Sequence, residues 1–161
     1  MDWIQFFTSD IKIEADRKFG FNDPASESLL AELKKEFNLT QLPPELEELY
    51  RQTNGVDELL FIEQLNETIL TGQFIWAIER VIKTNRFARA SPDYKRIYKS
   101  FDNLFFFADS GGGDHFGFET VNGQFERTDV FFWDHENDKR EWVAPGMKAF
   151  TEGWFSGAIK L

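Results

Sequence analysis

The chain has 161 residues, no cysteine, and 28 acids against 18 bases, for a formal net charge of −10. The missing cysteines exclude a disulfide framework, a thiolate zinc site and a cysteine nucleophile together. No stretch reaches the roughly 20 apolar residues that cross a bilayer, and the negative field disfavours phosphate backbones as direct partners.

The opening Met1-Asp2-Trp3-Ile4 lacks the basic start and apolar run of a signal peptide, so a cytoplasmic protein is expected. Trp3, Ile4, Phe6, Phe7, Ile11 and Ile13 form an apolar face, helical at first, with Ile11–Ile13 also readable as extended. Asp23-Pro24 and Ser26 signal a helix start, and Leu29, Leu30, Leu33 and Phe37 supply its stripe. A short helix follows from Pro44 through Tyr50, with proline in its first turn and acids beside it. Asn54-Gly55 reads as its stop, the glycine suited to a left-handed cap. The first half thus reads as helical up to Phe74-Ile75-Trp76, a strand running into a helix that ends near Ala90. A helical piece after Ser91-Pro92 covers Tyr94 to Tyr98.

Beyond this point the pattern becomes extended. Leu104–Ala108 is a continuous apolar run, as in a strand covered on both faces. Asp109–Asp114 is a loop, and His115–Glu119, Val130–Trp133 and Glu141–Val143 are further strands, the last two joined through a turn at Asn137-Asp138. A helix after Pro145 carries Met147, Phe150, Trp154 and Phe155. Helices, then an antiparallel meander, then a helix make an α+β fold, with no linker or repeat dividing residues 1–161.

Charge is segregated along the chain. Glu45, Glu47, Glu48, Asp57, Glu58, Glu63 and Glu67 stand against Arg51 alone, and Arg80, Lys83, Arg86, Arg89, Lys95, Arg96 and Lys99 against Asp93 alone. Such blocks often pair with each other across a folded surface. The Gly111-Gly112-Gly113 loop lacks the Lys-Ser/Thr of a phosphate loop and lies between acids, so it reads as a tight strand connection. Asp114-His115 and Asp134-His135-Glu136 sit at strand ends, where they would cap turns or, less simply, hold a metal or form a base and its orienter. Arg80, Lys83, Arg86 and Arg89 recur every three residues without aromatic stacking partners, which suits a solvated helix face better than a nucleic-acid groove. A basic protein is the better electrostatic partner for the whole, although acidity also serves solubility alone.

Four ordered segments resemble one family. Leu42-Pro43-Pro44-Glu45-Leu46 through Tyr50 and Asn54-Gly55 resembles the LPxxhxxhhxxxNG helix of the SUKH superfamily, whose members include bacterial immunity proteins and fungal cell-wall assembly regulators. Leu104–Phe118, Val130–Asp138 and Ala149–Gly157 resemble its central hairpin, next strand and closing helix. Val56–Gly72 and the N-terminal helix match nothing in that pattern. The resemblance implies one SUKH-like domain over 1–161 with no catalytic residues, no cofactor and no metal. It further implies a cognate toxin as partner, in particular a basic nuclease domain. The expected contact comprises Glu45, Glu47, Glu48, Asp57 and Glu58, with Gly112, Asp114, His135 and Glu136 as a second patch. A regulatory scaffold, or a metal-dependent hydrolase built on Asp114, His115, Asp134 and His135, are the alternatives.

Overall fold

The computed structural model describes residues 1–161. Its strands are β1 (Arg17–Phe21), β2 (Val56–Ile62), β3 (Glu67–Ile75), β4 (Leu104–Asp109), β5 (His115–Glu119), β6 (Val130–Asp134) and β7 (Lys139–Ala144). They form one 7-stranded sheet whose spatial order follows the chain, with every neighbouring pair antiparallel. The helices are α1 (Trp3–Gln5), running into a π-helix over Phe6–Asp10, then α2 (Glu27–Glu36), α3 (Pro44–Tyr50), α4 (Ile78–Ala90), α5 (Pro92–Ile97) and α6 (Met147–Phe155). The α+β class expected from the sequence is the class observed.

Two helix-start signals in the sequence act at their own positions. The Ser26 side chain accepts from the Leu29 amide at the start of α2, and Pro44 opens α3 at a position that needs no amide donor. Asn54-Gly55 works differently from a helix cap. Helix α3 already ends at Tyr50, and Asn54 instead accepts the Ile78 amide at 2.9 Å, capping α4 from 24 residues away. Gly55 has φ +95°, and a Cβ there would lie 2.8 Å from the backbone of Ile75 and Ala77. The pair locks the β2 entry against the start of α4.

The expectation of a helical first half fails at three places. Strand β1 pairs with β2 from Arg17↔Leu60 to Phe21↔Val56, and β2 forms a hairpin with β3 through a turn at Asn66, which takes φ 52°. The apolar residues Leu59 to Ile62 run consecutively rather than alternating, and none of them is fully buried, so no period marks one face of this ribbon as the core face. Two register shifts along β2–β3 add local twist.

The aromatic surplus is mainly core. Trp3, Trp76, Trp133 and most of the phenylalanines are buried in one cluster. Helix α6 lays Met147 and Phe150 on the sheet, with Phe150 stacked on Phe74 at 5.5 Å and close to Phe116 at 4.6 Å.

A seam divides the sheet between β3 and β4. These strands pair only at Ile75↔Ala108, extended by the Trp76 amide donating to Phe107 O at 2.9 Å. The edge of β4 left open by this parting is closed from α4. Buried Asn85 accepts from the Phe106 amide at 2.7 Å and donates to Phe106 O at 2.8 Å, while Arg89 donates to Leu104 O at 2.9 Å. A side-chain amide here replaces a neighbouring strand.

Candidate protein-binding surface

The nine residues expected to meet a partner fall into two groups in the fold. Those of α3 are engaged within the chain. The Glu45 carboxylate accepts the Met147 amide at 2.6 Å and the Lys148 amide at 3.4 Å, so it caps the N-terminus of α6, where the helix dipole favours an anion. Glu47 accepts from Lys34 at 3.1 Å and Arg51 at 2.9 Å. Partial burial alone would raise the Glu47 carboxyl, but these two cations hold it below the usual carboxylate range. Glu48 pairs with the N-terminal ammonium of Met1.

The remaining residues lie on the β2–β3 ribbon and around the glycine loop. One carboxylate oxygen of Asp57 is buried without a hydrogen-bond partner. Burial pushes the Glu58 carboxyl up; Arg17 opposes this and the nearby charge of Asp109 adds to it. Arg17 spends its own ion pair on Glu14 at 3.0 Å. Glu58 therefore lies within electrostatic reach of Asp109, the residue that leads into the glycine loop, and the two expected patches approach each other there.

Asp109 is itself anchored, accepting from Trp76 Nε1 at 2.9 Å and pairing with Arg80, whose guanidinium sits 4.5 Å above the Trp76 ring. In the loop that follows, the Gly111 amide donates to Asp109 at 2.8 Å and the Gly112 amide to Ser110 Oγ at 3.3 Å. With their amides turned on the loop's own side chains, these glycines form no phosphate cradle, as the sequence indicated. Gly113 has φ +104°, and a Cβ there would press on the His135 ring at 3.2 Å. The close approach lets Asp114 accept from His135 Nδ1 at 2.7 Å and from the His135 amide at 3.1 Å. That contact raises the His135 imidazole above its ordinary value. Burial alone would raise Asp114, but His135 holds it below the usual range. The Glu136 side chain is exposed.

The acid–histidine cluster divides as well. Ligand atoms of Asp114, Asp134 and His135 lie within 4.8 Å of one another, but His115 is turned inward against Trp76, Phe106 and Trp133. Burial pushes the His115 imidazole down, so it stays neutral near pH 7. Asp134 accepts from the Glu136 amide at 2.8 Å and from Asn137 at 2.6 Å. These acids cap turns, and the set of four does not converge on one point.

The basic helix pairs with partners other than the acidic block of residues 41–67. Arg80 pairs with Asp109, Arg86 with Glu36 at 2.8 Å, and Arg89 lies over the Phe37 ring while bonding to Leu104 O.

Sequence reasoning missed the apolar surface of the β2–β3 ribbon. Phe61, Leu65, Ile69 and Leu70 are 41%, 62%, 38% and 60% exposed on one hairpin. Its signal was present: two runs rich in Leu, Ile, Phe and Thr flanking Asn66, a residue that tolerates the left-handed turn conformation.

Among protein-family models, that of the SMI1 / KNR4 family (SUKH-1) matches residues 24–153 of the chain. No curated protein matches it. No helix is long and apolar enough to cross a membrane.

Proposed function

The chain belongs to the SMI1 / KNR4 family (SUKH-1), and we propose from that membership that it is an immunity protein, which binds a cognate bacterial toxin and blocks it without catalysis. The observation that carries this reading is the family match across most of the chain, joined to an acidic, partly apolar surface that the fold leaves uncovered. A basic nuclease domain suits that surface, because opposite potentials speed encounter while exposed Phe and Leu side chains supply anchors. Within this reading the chain acts as one domain over 1–161 in the cytoplasm.

The contact falls on Asp57, Glu58, Gly112, Asp114, His135 and Glu136. Glu45, Glu47 and Glu48 support it indirectly, since their carboxylates are committed to α6, Lys34, Arg51 and the amino terminus. The test is coexpression with the toxic C-terminal domain encoded beside this gene. Growth that stops with the toxin alone and recovers with both proteins supports immunity; continued arrest despite soluble expression of both refutes it. Asp57→Lys with Glu136→Lys should slow association at low salt and flatten its salt dependence. An unchanged association rate would move the contact elsewhere.

A further inference from the structure

We propose that the open edge of β3, over Glu67–Gln73, is a docking strand that takes an extended, basic segment of a partner protein by β-strand addition. The parting of the sheet leaves two backbone edges, and the chain treats them unequally. The β4 edge is satisfied by the Trp76 amide, Asn85 and Arg89. The β3 edge facing away from β2 meets no strand before Ile75, and neither a backbone nor a side-chain group of the chain bonds to it from outside the hairpin. An unpaired row of N–H and C=O groups is a template for another strand.

Register shifts at Thr71 and Phe74 twist this edge locally, and it carries no other protection. Protective edges carry lysine, proline or inward-pointing charge; residues 67–73 read Glu-Thr-Ile-Leu-Thr-Gly-Gln, with Ile69 and Leu70 exposed. The geometry at the far end also suits an insertion. β4 leaves the β3 register after Ala108 and turns away through Asp109 and the glycine loop, so a strand laid beside β3 would run in line with β4 and end against that loop.

Charge selects the occupant. The hairpin carries Asp57, Glu58, Glu63 and Glu67 and no base, and none of these acids forms an ion pair within the chain. A second copy pairing edge to edge would bring two such hairpins together, and like charges on adjacent strands repel. A segment alternating lysine or arginine with aliphatic residues would satisfy the backbone, the acids and the exposed Ile69 and Leu70 at once. The proposal rests on the immunity reading only for the identity of the partner; the capacity of the edge is a property of this chain alone.

The probe is a capped ten-residue peptide alternating lysine and valine, with a glutamate–valine peptide as control, added to the full chain while amide hydrogen exchange is followed by NMR. At a lysine–valine concentration about tenfold above its dissociation constant, outward amides of Glu67–Gln73 should exchange about tenfold more slowly. The control peptide should leave them unchanged. Glu67→Lys with Leu70→Lys, two exposed positions, should abolish the slowing while the exchange of β4–β6 shows the fold intact. Absence of slowing, slowing that is equal with the control peptide, slowing at the β7 edge in place of β3, or slowing that survives the double substitution overturns the proposal. The growth assay judges the immunity reading separately.

Discussion

Asn85 offers the sharpest test of how the parted sheet is held together. Its side chain is 1% exposed and makes both backbone hydrogen bonds of Phe106, at 2.7 and 2.8 Å. Asn85→Leu keeps the branched shape and replaces the amide with apolar surface, so the loss of those two bonds dominates its cost. Each buried backbone group left unsatisfied costs about 1–3 kcal/mol, or about 2–6 kcal/mol for the pair. Burying the leucine returns about 1–2 kcal/mol, leaving a net loss of about 2.5 kcal/mol at mid-range. The contact to Val81 O adds little, since that carbonyl also lies within the backbone ladder of α4. Equilibrium urea unfolding reads the loss directly. With a slope of about 2 kcal/mol per molar, the midpoint should fall by about 1.2 M with the slope unchanged. A fall below about 0.3 M would mean that Phe106 finds other partners, and the account of α4 as a stand-in strand would fail.

Three further predictions address the other devices. Gly55→Ala should destabilise by about 2–4 kcal/mol in the same assay, combining left-handed strain with a clash against Ile75 and Ala77 backbone; a neutral outcome would show that the β2–α4 junction is pliant. Glu45→Ala should cost about 1 kcal/mol through the lost α6 cap and leave partner affinity unchanged, whereas a loss of affinity without a loss of stability would return Glu45 to the interface. In an NMR titration, His135 should titrate above the ordinary histidine value and His115 below it, and Asp114→Asn should bring His135 back down. The His135 contribution to stability is present at low pH and fades as pH rises through its raised folded value, while that of Asp114 is present at higher pH and fades as pH falls through its lowered one. The pair therefore stabilises most between about pH 4 and about pH 6.5, and a pH-dependence of stability on either side of that window that Asp114→Asn leaves unchanged would count against it.

What the sequence revealed follows from where burial is one-sided or complete. Leu104–Ala108 is covered on both faces and reads as a continuous apolar run, and α2 carries its stripe because one face meets the core. In the β2–β3 ribbon Leu59, Leu60, Phe61 and Ile62 follow each other although none is fully buried, so the run carries neither the alternation nor the burial by which a strand is read. The same exposure that hides its strands marks it as a surface for others. The acids of α3 looked available because their partners come from elsewhere in the chain: Lys34 from α2, Met147 from α6 and the ammonium from Met1. Asn54 has the spacing of a local helix stop, yet its role depends on a helix that begins at Ile78. Ion pairs and caps made over such separations are set by tertiary structure, and residue spacing does not encode them.

The most direct test of the immunity reading is a calorimetric titration of the purified toxin domain into this chain, at low and at high salt. The account predicts a one-to-one complex with a dissociation constant of about 10 nM or tighter, weakening as salt screens the acidic surface. Protection of growth by a chain that shows no heat of binding and no complex would contradict it, because blocking by direct contact requires the two proteins to meet.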